Sequence, residues 1–141
     1  MLYSEFKEIT ARELNEFTKQ YCFWAFGRDQ LEKKLQELGI TEEELQKEYV
    51  SFYGGAIRAD KVADYNKMAD RHDQQLKENM KNFNFAYSAF RCELANHEYG
   101  YTYNEEPALN ALGLTAREVV ENEVLNRAFC KAAQEIKSQE A

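Results

Sequence analysis

The segment LQELGITEEEL, Leu35–Leu45, contains both the end of one helix and the start of the next. Gly39 supplies the left-handed residue that commonly follows the last turn of a helix. Thr41 and Glu44 have the spacing of a capping box, in which a hydroxyl and a carboxylate satisfy free N–H groups at a helix start. We expect Ile40 to pack into the corner. The segment therefore predicts two helices joined by a short turn.

The same pattern recurs in LNALGLTAREV, Leu109–Val119. Here Gly113 ends one helix, Thr115 with Glu118 begins the next, and Leu114 packs the corner. With one proline and six glycines, the chain permits helices over most of its length. Hydrophobic periodicity predicts helices over 4–19, 28–38, from 41 onward, 59–78, 83–98 and 116–137.

Two short, aromatic-rich segments are the strand candidates, residues 21–26 (YCFWAF) and 49–53. We expect Gly54 and Gly55 to turn the chain from the second strand into a helix. We expect three aromatic residues of the first strand region in the core: Phe23, Trp24 and Phe26. The predicted fold is therefore a single compact α+β domain over residues 1–141, mainly α, with a minor two-stranded sheet.

Composition limits the class of protein. The formal net charge is −7, which disfavours binding to phosphate backbones and anionic membranes. The apolar runs are too short to span a bilayer, and the N-terminal residues lack the apolar core of a signal peptide. Three widely spaced cysteines predict reduced thiols that pack as small apolar groups. We expect a cytoplasmic protein.

The two helix corners also fit the turn of a DNA-binding helix-turn-helix. The second helices begin EEELQKE and AREVVENE. Their carboxylates would be repelled by the phosphates that flank a DNA groove. Neither helix carries a basic stripe or a set of base-reading side chains. Direct DNA binding is therefore not expected.

A metal or acid–base site is one alternative. Glu93 and His97 lie one helical turn apart on a predicted apolar face, and His72 lies on the apolar stripe of another helix. Two imidazoles and a carboxylate would suit zinc or another divalent metal and leave a position for water. In this reading the protein is a metal-dependent hydrolase. Otherwise no cofactor is expected.

A second candidate is the segment EYGYTYNEEP, in which tyrosines alternate with small residues. In an extended conformation this alternation puts three rings on one side. Tyrosine is enriched at binding hot spots. The predicted partner-binding residues are the three rings with an acidic rim: Glu98, Tyr99, Tyr101, Tyr103, Glu105 and Glu106. The same rings can instead close over the core of the domain.

Three segments carry a resemblance to a family. They are FWAF at 23–26, the glycine pair and IRADK at 54–61, and ELANHEYGYT at 93–102, followed by ALNALGLT at 108–115. Over about 21–115 the chain resembles small acidic proteins of bacteria and their phages or mobile elements. That family has no assigned activity. The resemblance implies a bacterial or phage setting in the cytoplasm.

These observations predict a non-enzymatic interaction protein that docks on a protein partner through the 99–103 segment. A phage or mobile-element regulator, or an inhibitor of a host nucleic-acid-handling protein, fits the acidic charge, because carboxylates can occupy a groove built for phosphates. The metal-dependent hydrolase is the first alternative. A structural subunit that self-associates through the first and last helices is the second. No membrane partner is expected.

Overall fold

The structure, a computed structural model, describes residues 1–140. Within this range the chain is mainly helical with one small antiparallel sheet, so the predicted fold class is confirmed. A 3₁₀ turn, Ala59–Lys61, precedes the helix that begins at Val62. The elements, in chain order, are α1 (Tyr3–Tyr21), β1 (Cys22–Trp24), α2 (Arg28–Leu38), α3 (Glu42–Glu48), β2 (Tyr49–Phe52), β3 (Gly55–Arg58), α4 (Val62–Asn79), α5 (Phe83–Asn96), α6 (Tyr99–Thr102), α7 (Glu106–Ala111), α8 (Ala116–Glu121) and α9 (Glu123–Glu140).

The chain divides into two compact units. The helical unit consists of Met1–Ile9 and the described part of Arg71–Ala141, and the sheet unit consists of Thr10–Asp70. Helices α1 and α4 contribute residues to both units. Every helix in residues 1–140 is too short or too polar to span a lipid bilayer.

The core of the helical unit forms where α5 packs along α9. Ala86 and Ala89 on α5 and Ala128 and Ala132 on α9 are fully buried. Small side chains at these positions let two helices approach closely. Larger residues fill the space beside them, and the Phe90 ring meets a ring of α9 edge to face. The periodic apolar faces predicted for these helices thus build one continuous core.

The sheet unit differs from the prediction in its strand count. The two predicted strands exist as β1 and β2, but they do not pair with each other, since β3 lies between them in the order β1-β3-β2. The predicted turn into a helix at the glycine pair is wrong. Tyr53 and Gly54 both have positive φ, 45° and 86°, and form the two-residue turn of a hairpin. Gly55 then begins β3.

Both helix corners are confirmed. Gly39 and Gly113 adopt left-handed conformations with φ of 68° and 67°. The hydroxyls of Thr41 and Thr115 each accept a hydrogen bond from the backbone N–H three residues later. The complete reciprocal capping box forms at Thr115. These turns form as predicted because the residues that specify them are adjacent in the chain.

One further prediction, that of a continuous last helix, is wrong. The predicted helix over 116–137 is interrupted at Asn122, which is extended and whose side chain accepts a hydrogen bond from the Leu125 N–H, so it caps α9. The segment Tyr99–Thr102 is a single helical turn, so the condition under which three rings would share one side is not met. Among the cysteines, Cys22 and Cys92 are partly buried as expected, whereas Cys130 is exposed.

Candidate functional site

The tyrosine segment does not present three rings on one side. A helical turn rotates successive side chains by about 100°, so Tyr101 lies on the side away from Tyr99, which points into the core of the helical unit. Tyr103 follows the turn in a left-handed conformation and is also exposed. The turn lies between Glu98 and Tyr103, two non-glycine residues with left-handed φ of 58° and 52°. The Tyr103 ring contacts Tyr99 and lies 5.1 Å from the Lys137 ammonium.

The predicted acidic rim is only partly exposed. Glu98 and Glu106 are exposed, and Glu105 is half-buried at the start of α7. The candidate binding surface therefore consists of two exposed tyrosine rings and two exposed glutamates, and it is smaller than the surface predicted from the sequence. A partner-binding role for these residues stays a prediction.

A buried titratable group, Glu93 on α5, has an exposed fraction of 4% and contacts donors from another helix. Tyr3 and Lys7, one turn apart on α1, converge on the same carboxylate oxygen. The Tyr3 hydroxyl donates to Glu93 Oε1 at 2.8 Å, and Lys7 Nζ donates to it at 2.9 Å. His97 Nε2 lies 3.3 Å from the other oxygen, Oε2. The Tyr3 N–H also donates to the Ser88 hydroxyl of α5. The cluster therefore fixes the first turns of α1 to α5.

The protonation states in this cluster follow from these contacts. Burial pushes the pKa of Glu93 upward, but the hydrogen bonds from Lys7 and Tyr3 outweigh it and the pKa is lowered. Burial and the bond to the carboxylate raise the pKa of Tyr3. The bond to Glu93 raises the pKa of Lys7. At neutral pH the cluster holds an ionised carboxylate whose Oε1 atom already accepts two hydrogen bonds, which makes Glu93 a poor general base.

The predicted metal-site residues are only partly brought together. Glu93 and His97 are adjacent, as predicted from their spacing. His72 lies half-buried on α4, where burial and then the Arg71 charge lower its pKa. No group of three or more histidine, cysteine, aspartate or glutamate side chains in residues 1–140 has the placement to hold a metal ion. The pair of Glu93 and His97 alone does not supply the three protein ligands of a catalytic zinc site.

The sheet unit carries an aromatic cluster that the sequence did not indicate, formed by Trp24, Phe26, Phe52 and Tyr53. The Trp24 and Phe52 rings lie 5.7 Å apart across β3, and the Phe52 and Tyr53 rings 4.7 Å apart. The Phe26 ring lies over Gly54 at the hairpin tip. The exposed fractions are 41% for Trp24, 70% for Phe26 and 79% for Tyr53. The prediction that Trp24 and Phe26 lie in the core is therefore wrong, whereas Phe23 is buried as expected.

Gly55 makes this cluster possible. A Cβ atom at position 55 would lie 2.1 Å from the Phe23 carbonyl oxygen and 2.8 Å from the Trp24 ring. Both distances are shorter than any van der Waals contact. Only glycine therefore lets β3 pass beneath Trp24, which packs across the strand toward Phe52 instead of into the core.

An open groove of about 610 Å³, which we call groove A, lies between the sheet and helices α2 and α3. It is on the sheet face of Phe23 and Ala56, opposite the face that carries the Trp24 and Phe52 rings. Its apolar lining comes from Phe23, Leu31, Leu45, Tyr49 and Ala56. Arg28, Glu32, Glu42, Gln46 and Ser51 supply its polar groups. The volume lies in the range of small-molecule and peptide sites. Arg28 pairs with Glu32 at 3.3 Å, so the charged lining carries one net negative charge.

The comparison with protein families gives one match. A model described as a family of unknown function (DUF7659) matches residues 2–135. The chain belongs to this family. No curated protein and no solved structure matches the chain. The match confirms that the chain belongs to a family without an assigned function.

Proposed function

We propose that this DUF7659 chain is a non-enzymatic protein-binding module whose docking surface is groove A together with the aromatic cluster of Trp24, Phe26, Phe52 and Tyr53. The observations that carry the proposal are the exposure of three of these rings, those of Trp24, Phe26 and Tyr53, and the apolar lining of groove A, about 610 Å³, on the same small sheet. Exposed apolar surface marks interaction sites, and tryptophan and tyrosine are enriched among the residues that dominate binding energy.

The lining of groove A favours binding over catalysis. Its one hydroxyl side chain, Ser51, has no histidine, cysteine or lysine beside it among the described residues that line the groove, and the Glu32 carboxylate is held by Arg28. The perturbed carboxylate Glu93 belongs to the helical unit, where its donors give it a structural role. A hydrolase would need a nucleophile or an activated water beside the bound substrate.

The acidic character of the chain supports a partner with a basic surface. The net charge is −7, and electrostatic complementarity accelerates association with such a surface. A regulator or inhibitor encoded by a phage or mobile element, acting on a host nucleic-acid-handling protein in the bacterial cytoplasm, stays part of this proposal.

A display library of random twelve-residue peptides, selected on the immobilised chain, tests the proposal. We expect selected peptides to lose at least tenfold in affinity for Phe26→Ser, since Phe26 is exposed and its replacement leaves the core intact. The matched control is Tyr101→Ser, an equally exposed ring of the helical unit, for which affinity should not change.

Circular dichroism of both variants checks that the helices are retained. Selected peptides that bind Phe26→Ser as tightly as the parent, or that are lost with Tyr101→Ser instead, would refute the proposed surface.

A further inference from the structure

Strand β2 forms an unprotected edge of the sheet. In the described chain it pairs with β3 on one side and with no strand on the other. Edge strands of natural proteins are commonly blunted by lysine, proline or a bulge, because an open edge pairs with other chains. The sequence of β2, YVSF, has no charge and no proline. Val50, with an exposed fraction of 43%, and Ser51 lie open to solvent.

The hydrogen-bonding groups that face outward from β2 can be assigned. The Tyr49 N–H donates to the Leu45 carbonyl at the end of α3, so it is directed away from β3. In an antiparallel pair the positions that bond to the partner strand alternate with those that do not. Ser51, two residues after Tyr49, therefore directs both its N–H and its carbonyl outward, while Val50 and Phe52 bond to β3.

Grooves lie on both faces of this edge. Groove A is on the face of Ser51, as shown by the pairing of Ser51 with Ala56 and of Ala56 with Phe23. A second groove of about 340 Å³, groove B, is on the opposite face and is lined by Phe52, Ile57, Val62, Tyr65 and neighbouring residues. Val50 and Ser51 line both grooves. The open edge thus runs between two recesses of different chemistry.

We propose that β2 takes up an extended segment of a partner protein as a fourth strand, with alternate side chains of the segment entering groove A and groove B. The inference rests on the proposed function and specifies its ligand. Strand addition supplies affinity through main-chain hydrogen bonds and specificity through recesses for alternate side chains. The outward groups of Ser51 and the Tyr49 carbonyl provide these hydrogen bonds.

The linings specify the chemistry of the segment. Groove A carries one net negative charge from Arg28, Glu32 and Glu42, together with an apolar floor. This combination suits the aliphatic stem and cationic head of lysine or arginine. Groove B has no charged residue among the described residues that line it, so it suits valine, isoleucine or leucine. The expected segment therefore alternates basic and aliphatic residues.

Titration of the ¹⁵N-labelled chain with an eight-residue peptide of alternating valine and lysine tests this inference. We expect amide shifts concentrated in Tyr49–Phe52 and in the groove linings. A peptide of alternating valine and glutamate should bind at least tenfold more weakly, because its carboxylates face Glu32 and Glu42. N-methylation of one alternate set of peptide amides should abolish binding, and methylation of the other set should not.

Two substitutions at one position isolate the main-chain contribution. Ser51→Pro removes the outward N–H without removing a hydrogen bond of the hairpin, a position where edge strands tolerate proline. It should lower peptide affinity at least tenfold, whereas Ser51→Ala, which keeps the N–H, should bind like the parent. The methylated peptides make the same test on the unchanged chain if Ser51→Pro fails to fold.

The possible outcomes separate this inference from the proposed function. Equal binding to Ser51→Pro and Ser51→Ala, or equal binding of both methylated peptides, would overturn strand addition. Library-selected peptides that depend on Phe26 but tolerate Ser51→Pro would leave the docking surface standing and reject the fourth strand. A dimer that forms with concentration and is lost in Ser51→Pro, with no binding of the valine–lysine peptide, would make a second copy the occupant and overturn the proposal.

Discussion

Replacement of Glu93 by glutamine tests whether the buried cluster of the helical unit is structural. The glutamine has the same shape, so its carbonyl oxygen can still accept the hydrogen bond of the Tyr3 hydroxyl. Glutamine carries no charge, so the ion pair that Glu93 forms with Lys7 at 2.9 Å is lost. The change therefore removes the electrostatic part of the cluster and keeps the packing.

The expected cost follows from the exposure of each donor. Hydrogen bonds to charged groups contribute about 1.5–3 kcal/mol and those between neutral groups about 0.5–1.5 kcal/mol, so the Tyr3 bond weakens by about 1 kcal/mol. Lys7 is about half exposed, so water screens its ion pair with Glu93 and the loss of that pair costs about 1 kcal/mol, well below the value for a fully buried pair. Together they destabilise the chain by about 2 kcal/mol and lower Tm by roughly 4–8 °C.

Urea unfolding followed by circular dichroism at pH 7 measures this loss. The control is Glu121→Gln, which removes an exposed ion pair with Arg117 at 2.8 Å and should cost less than about 0.5 kcal/mol. Because the pKa of Glu93 is lowered in the folded chain, its stabilisation is present above the unfolded pKa of about 4.3 and disappears as pH falls through the folded value. Equal costs for Glu93→Gln and Glu121→Gln, or a difference that persists unchanged at pH 2, would refute the reasoning.

Three further predictions concern backbone strain and alkaline pH. Glu98→Gly should raise the free energy of unfolding by about 0.5 kcal/mol because it relieves a left-handed residue, whereas Glu105→Gly, at an ordinary helical position, should lower it in the same denaturation assay. Gly55→Ala should lower the free energy of unfolding by about 3 kcal/mol, because the added Cβ meets the neighbouring strand. Gly39→Ala should lower it by about 1 kcal/mol, because there only the positive φ is strained. Unfolding of both variants can be followed by the fluorescence of the single tryptophan. Tyr3 has a raised pKa in the folded chain, so its neutral phenol stabilises the fold below the unfolded pKa of about 10, and this stability falls as pH rises above it. Tyr3→Phe should therefore reduce the loss of stability between pH 10 and 11 by about 1 kcal/mol, as measured by urea midpoints.

The parts of the fold that were predictable are those whose determinants are close in sequence. A left-handed glycine followed by threonine and a glutamate three residues later specifies a helix corner within six residues, and both corners formed at the expected positions. The spacing of Glu93 and His97 likewise predicted that they lie on one face, and their side chains are 3.3 Å apart. A local sequence pattern is sufficient to predict a feature whose determining residues all lie in one helix or one turn.

The remaining features depend on contacts across the chain. The donors of Glu93 come from α1, some 90 residues earlier, so no local pattern identifies them. The hairpin at Tyr53 and Gly54 was missed because a short segment rich in glycine carries little strand propensity. Its pairing with β1 and β2 supplies the stability instead. One available signal was Gly55, since a glycine inside a strand often marks the close approach of another group.

The exposure of Trp24 and Phe26 could not be predicted from the residue types in their segment. Aromatic residues near a strand are usually buried, and the sequence alone gave no reason to place them elsewhere. Their position at the end of a three-stranded sheet leaves their rings without a covering element among the described residues of the sheet unit. Docking of a partner would bury them.

The most direct measurement is residue-resolved hydrogen–deuterium exchange of the chain with and without a library-selected peptide. We predict that binding slows exchange of the Ser51 amide, which faces outward in the free chain, and of amides around Phe26 and the hairpin tip. Protection confined to 99–103, or the absence of any change in residues 22–58, would contradict a docking surface on the sheet unit.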